Sequence, residues 1–101
     1  MGRIKNVRSK KYEVHIDHTD LMELWEKQGG RCALSGVMMT HHIYRGDRKD
    51  FNVSIDRIRP HEGYTKDNIQ LVAWRVNIMK NDMDEAMMSW WVRTIHAHAC
   101  T

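Results

Sequence analysis

Two side chains with hard oxygen donors, Asp56 and Asn77, fall at the corners of a strand–loop–strand–helix pattern. A carboxylate and an amide carbonyl suit Mg²⁺ or Mn²⁺ with several waters retained, and two protein ligands leave room for phosphate oxygens. Basic residues crowd the same stretch: Arg45, Arg48, Lys49, Arg57 and Arg59, with Lys80 on the helix that carries Asn77. A further basic set, Arg3, Lys5, Arg8, Lys10 and Lys11, precedes the first acid, Glu13. Phosphate is the polyanion that such clusters attract. Arginine stays protonated, so Arg57 can grip a phosphate but cannot take a proton from water. Side chains able to do so nearby are His41, His42 and Tyr44, which precede the first strand of the pattern, and His61 in its loop.

The elements that must position these residues follow from periodicity. Phe51, Val53 and Ile55 alternate with Asn52, Ser54 and Asp56, which predicts a strand. Pro60 to Asn68 is a turn-rich loop. Ile69 to Trp74 reads as a second strand, and Val76 to Lys80 begins a helix. A hairpin followed at once by a helix sets the end of the first strand beside the first helical turn, so Asp56 and Asn77 can converge. Upstream, Tyr12, Val14 and Ile16 alternate as a short strand would. Leu21, Leu24 and Trp25 make an apolar helical stripe, with Asp20 and Glu23 at capping-box spacing and Gly29-Gly30 as the stop. Cys32 to Val37 predicts an extended piece turning at Ser35-Gly36, and Thr40 to Asp50 a polar loop. Asp82 with Glu85 predicts a second capping box, opening a last helix whose Met83, Met87, Trp90 or Trp91, and Ile95 are expected to pack over the core.

Composition sets the frame. The chain has 101 residues, 42% hydrophobic and 29% charged, with a formal charge of +3. That is one domain, 1–101, with a basic lead-in over 1–16 and a modest core. No apolar run is long enough to span a bilayer, and no hydrophobic stretch follows the basic N-terminus, so a cytoplasmic location and no membrane partner are expected. Cys32 and Cys100 have no zinc-ligand spacing; a reduced pair and no structural zinc are expected. Eight methionines against one phenylalanine are read as fillers of an irregular core.

Ser54-Ile55-Asp56-Arg57-Ile58-Arg59-Pro60, then Gly63-Tyr64-Thr65-Lys66-Asp67-Asn68, then Asn77-Ile78-Met79-Lys80 together resemble the HNH nuclease family, in particular small phage-type members. That family's pattern is Asp-His-x-x-Pro, a glycine-containing loop, an Asn before the second strand, and a helix with Asn or His nine residues further on. Asn77 lies nine residues after Asn68, and Asn81 thirteen after it. Gln28 to Ala33 with Ser35-Gly36 resembles the upstream segment, so the likeness covers roughly residues 28–83.

The resemblance implies an α+β fold, a ββα-metal finger over about 51–82 with flanking N- and C-terminal helices. It implies hydrolysis of DNA phosphodiesters by water, leaving a 3′-hydroxyl and a 5′-phosphate. Asp56 and Asn77 would hold the Mg²⁺ or Mn²⁺, which neutralises charge developing on the phosphate. Asn68 would brace the loop, and Lys80, Arg59 and Arg45 would contact phosphate. The family's general base is the His directly after the ligand Asp, and Arg57 occupies that position. Either Arg57 grips the scissile phosphate while another residue, His42 foremost, activates the water, or catalysis is lost and the protein is a nucleic-acid-binding module on the HNH fold. A third reading is a protein-interaction domain that uses the methionine- and tryptophan-rich last helix. If the protein is encoded by a phage, its location would be the host cytoplasm. A homodimer would be a simple route to double-strand cuts. The nuclease reading implies that Asp56→Ala abolishes cleavage and leaves the fold intact.

Overall fold

The computed structural model describes residues 13–41 and 49–100. They form a small α+β fold with two two-stranded sheets and three helices: β1 (Val14–His15), α1 (His18–Gln28), β2 (Val53–Arg57), β3 (Tyr64–Thr65), β4 (Ile69–Ala73), α2 (Trp74–Lys80) and α3 (Glu85–Ala99). A single 3₁₀ turn over Lys49–Phe51 leads into β2. Among the described residues no helix is long and apolar enough to cross a membrane.

The antiparallel pair β2–β4 is the centre of the molecule. Its register sets Val53 opposite Ala73, Ile55 opposite Leu71 and Asp56 opposite Gln70. Four of the five residues of β4 are buried, because both of its faces are covered. Leu71, Val72 and Ala73 form the core with Cys32 and Met39, and Leu21, Leu24 and Trp25 of α1 pack against it with Val53, Ile55 and Val76. The segment after α1 turns at Ser35-Gly36, as its composition predicts. Cys32 N–H donates to Val37 O at 2.8 Å, and Gly36 N–H donates to Cys32 O at 2.9 Å.

A two-stranded sheet leaves backbone groups of a buried strand in need of partners. Gln28, the last residue of α1, supplies them to β4. Its Nε2 donates to Leu71 O at 2.9 Å and its Oε1 accepts from Leu71 N–H at 2.9 Å, while Ala33 N–H also donates to Leu71 O. One amide side chain thus copies the two bonds of a third strand and fixes α1 to the sheet. The helix can stop there because Gly29 adopts the left-handed conformation, φ 64°.

The second sheet is smaller. β1 runs parallel to β3, with Val14 opposite Tyr64, and Tyr64 N–H donates to Glu13 O at 2.7 Å. Gly63 is required here: a Cβ at that position would lie 2.5 Å from Glu13 O.

The structure corrects several expectations. The cap of α1 is Asp17, not Asp20. Asp20 is its third residue and closes a reciprocal box, with Asp20 N–H donating to Asp17 Oδ1 at 3.0 Å and Asp17 N–H to Asp20 Oδ2 at 3.1 Å. The cap of α3 is Asp84, whose carboxylate accepts from Met87 N–H at 2.8 Å; Asp82 lies outside the helix and Glu85 is its first residue. Trp74 opens α2 instead of ending β4. The largest departure is α3 itself. It does not lie over the core: none of its residues is buried, and Met87, Trp90, Trp91, Val92 and Ile95 are about half exposed. Its first turn is tied to β4 by Gln70 Nε2, which donates to Glu85 Oε2 at 3.1 Å.

The clamp on β4 has a measurable worth. Gln28→Ala leaves the buried Leu71 N–H without its partner, and the protein is expected to lose about 1–3 kcal/mol of unfolding free energy in urea titrations. Gln28→Glu, which keeps the acceptor and removes the donor, is expected to recover little of that loss.

Candidate functional site

α2 leaves β4 through Trp74 and runs back beside β2 in the same direction as that strand. Three residues along a helix rise about 4.5 Å and two along a strand about 6.6 Å, so successive helical turns meet successive same-face residues of the strand. The result is a short ladder. Asn77 Nδ2 donates to Ser54 Oγ at 2.5 Å and to Ile55 O at 3.2 Å. Three residues on, Lys80 Nζ donates to Asp56 Oδ1 and to Arg57 O, both at 3.0 Å.

The last rung is almost wholly shielded from water. Lys80 is 0% exposed and Asp56 3%. The other carboxylate oxygen of Asp56 accepts from Gln70 Nε2 at 2.9 Å, across the β2–β4 register. Asp56 therefore has both oxygens engaged, and the cation it faces is Lys80. The expectation that Lys80 reaches a phosphate is overturned, since its ammonium points into the protein and holds the strand that carries Asp56. Asn77 bonds to Ser54 and Ile55 O one rung earlier, in both cases through its amide nitrogen and not its amide oxygen.

Ser54, Asp56, Arg57, Pro60, Tyr64, Trp74, Asn77 and Asn81 line an open polar cleft of about 500 Å³ between β2, the following loop and α2. Asn81 closes α2 at φ 51°, a conformation an asparagine tolerates better than most side chains. Arg57 lies over the Tyr64 ring, 5.4 Å from its centroid, and its Nη1 donates to Pro60 O and Glu62 O. Its guanidinium is thus braced by the loop at the edge of the cleft. Arg59 is half exposed and bridges to Glu62 at 2.8 Å.

The loop's geometry comes from Asn68, which is fully buried. Its Oδ1 accepts from Arg59 N–H at 2.8 Å, and its Nδ2 donates to Gly63 O at 2.8 Å and Arg59 O at 3.2 Å. One side chain therefore ties both ends of the loop. Nearby, the Thr65 hydroxyl donates to Asp67 and holds its carboxyl below the usual carboxylate range, helped by a backbone N–H and by Arg59. In the core, burial raises the Cys32 thiol, but hydrogen bonds from Ser35 and from backbone N–H groups outweigh it and bring the thiol below its ordinary value.

His42 and Arg45 lie outside the described residues, as does Tyr44. His41 packs edge-on against Trp25, with ring centroids 5.5 Å apart, and lines an apolar groove with Leu21, Val53 and Ile55. His61 is exposed in the loop. Among the described residues no three His, Cys, Asp or Glu side chains gather as a metal cluster. Asp56 and Asn77 suit a hard cation by donor type and border one cleft, and a cation held by Asp56 would share that carboxylate with Lys80.

Sequence reasoning missed Ser54 and Gln70 as partners of the site. A signal existed for both: Ser54 shares a strand face with Asp56, and Gln70 is the one polar residue in the run Ile69 to Ala73.

Buried ion pairs fail badly when halved. Asp56→Ala strands the Lys80 ammonium and Lys80→Met strands the Asp56 carboxylate, so each is expected to cost about 3–5 kcal/mol in denaturant unfolding. The double variant is expected to be more stable than either single one, a coupling that a double-mutant cycle reads directly. Asp56→Ala is therefore expected to weaken the fold as well as to change the cleft. Comparison with protein family models, with curated proteins and with solved structures finds no match to this chain.

Proposed function

We propose that the protein is a divalent-metal-dependent endonuclease of the HNH type that acts on DNA at the cleft between β2 and α2. The observation that carries this reading is the joint placement of Asp56, Arg57 and Asn77 on one polar cleft, by a hairpin that passes directly into a helix. Strand, loop, strand and helix follow in the order of a ββα-metal finger, and Asn68 holds the loop that connects the strands. Asp56 and Asn77 would hold Mg²⁺ or Mn²⁺, which supplies charge neutralisation at a phosphoryl group. Arg57, braced by Pro60 and Glu62, presents a fixed positive charge at the cleft's edge, suited to a phosphate oxygen. Arg59, exposed in the same loop, would extend that charge for the DNA backbone, and Arg45 is a further candidate by sequence. The water-activating base would be His42, which precedes β2 in the chain.

A second reading has its own observation. Asp56 is neutralised by Lys80, and an arginine stands where the family's base belongs. A protein so built would keep the fold and bind nucleic acid without cutting it.

Supercoiled plasmid separates the two. The nuclease reading expects nicked or linear product with Mg²⁺ or Mn²⁺, and none with chelator. Asn77 is the informative position, because Asn77→Ala removes only two partly exposed hydrogen bonds and is expected to keep the fold. Loss of cleavage by about a hundredfold is expected, the scale of losing one electrostatic stabiliser of a transition state. Salt-sensitive DNA binding with no product under any divalent metal would establish the binding module instead.

A further inference from the structure

A second, unrelated feature of the molecule is α3, which carries its apolar side chains into solvent. Met87, Trp91 and Ile95 recur at four-residue spacing and so share one face, with Met88 and Val92 beside them. Exposures are 52% for Met87, 48% for Trp91, 47% for Val92 and 61% for Ile95, and Trp90, at 51%, stacks edge-on against Trp91 with centroids 4.8 Å apart. These five side chains leave on the order of 500 Å² of apolar surface in water, at the upper end of what a monomer shows in one patch. Two such patches placed together remove at most roughly 1,000 Å², the lower limit of a specific interface.

The charge pattern says which way two copies would lie. Asp82, Asp84 and Glu85 stand at the start of α3, and His96 and His98 in its last turn. A parallel pair would set acid beside acid. An antiparallel pair sets the acidic end of each helix beside the histidines of the other and opposes the two helix dipoles. The apolar face is also self-complementary in that sense. Met87 and Ile95 lie four positions on either side of Trp91, and Asp84 and His98 seven on either side. An axis through Trp91 therefore faces Met87 with Ile95, Trp91 with Trp91, and Asp84 with His98.

We propose that the protein is a homodimer in which α3 pairs antiparallel with α3 of a second copy, about a two-fold axis through Trp91. This interface is isologous, so it closes on itself and forms no filament. It is independent of whether the cleft cuts DNA.

Sedimentation equilibrium of the full chain, from micromolar to submillimolar concentration, reads the association. A monomer–dimer equilibrium is expected, and Trp91→Glu is expected to weaken it at least tenfold while far-UV circular dichroism and the urea midpoint stay unchanged. A chain that is monomeric throughout overturns the proposal, whatever else covers α3. So does a dimer that Trp91→Glu leaves intact, which would be joined elsewhere, for example at the apolar groove beside Trp25. Orientation is read by oxidative crosslinking of an equimolar mixture of two chains, Met87→Cys and Ile95→Cys, each also carrying Cys100→Ser. The mixed disulfide is expected to dominate; two like-with-like disulfides would overturn the antiparallel arrangement.

Discussion

The contact on which the structure depends is the buried ion pair between Asp56 and Lys80. Burying two charges costs several kcal/mol each, and only close geometry with further hydrogen bonds offsets it. Those conditions are met. The Asp56 carboxylate accepts from Lys80 and from Gln70, and the Lys80 ammonium donates as well to Arg57 O. Three elements meet at one point: β2 through Asp56, β4 through Gln70 and the last turn of α2 through Lys80. The wholly buried apolar core is small, built on Cys32, Met39 and the strand β4. Methionine and leucine side chains tolerate sliding against one another far better than a charge tolerates losing its partner. The pair thus selects one register for α2 on the sheet more than it adds net stability. Through Gln70 and Glu85 the same network reaches the first turn of α3.

This arrangement also sets the chemistry open to the cleft. An ionised carboxylate has about four acceptor positions, and two of those on Asp56 are taken. A divalent cation on the remaining ones would have the Lys80 ammonium for a neighbour, and like charges at that range oppose each other strongly in a region poor in water. Asn77 and phosphate oxygens would then have to supply much of the binding. A cation of that kind would be held well only with a phosphodiester present to share it. The proposed nuclease and the proposed binding module would thus differ in the hold of Asp56 on a metal in competition with Lys80, as well as in the presence of a water-activating base.

Much of the frame was legible in the sequence, for a physical reason. Alternation of Val53 and Ile55 with Ser54 and Asp56 marks a half-buried strand, and a run such as Ile69 to Ala73 marks one covered on both faces. Asn68 could be assigned to the loop backbone because an asparagine among Gly63 and Asp67 has backbone groups to satisfy nearby. Caps were placed less well. Asp17, Asp20, Asp82 and Asp84 offer overlapping box patterns, and the choice falls to where the chain enters from the preceding strand or helix, which no local pattern encodes. Lys80 was misplaced because a lysine on a short helix is nearly always solvated, and its burial follows from a partner twenty-four positions away.

The last helix shows where such reading stops on principle. A stripe at helical spacing states that one face of α3 avoids water; it does not state what excludes the water. Packing on the chain's own sheet and packing on another copy use the same residues at the same spacing. For α1 the decision is made by Gln28, which anchors the helix end to Leu71 and holds Leu21, Leu24 and Trp25 against the core. At its first turn α3 is joined to β4 by the bond between Gln70 and Glu85, and further along Trp91 and Ile95 extend into solvent. A helix with an apolar face exposed along its length would present that face as a whole to a partner. That partner is best served by a surface of equal length and opposite charge order, which a second copy turned end for end supplies.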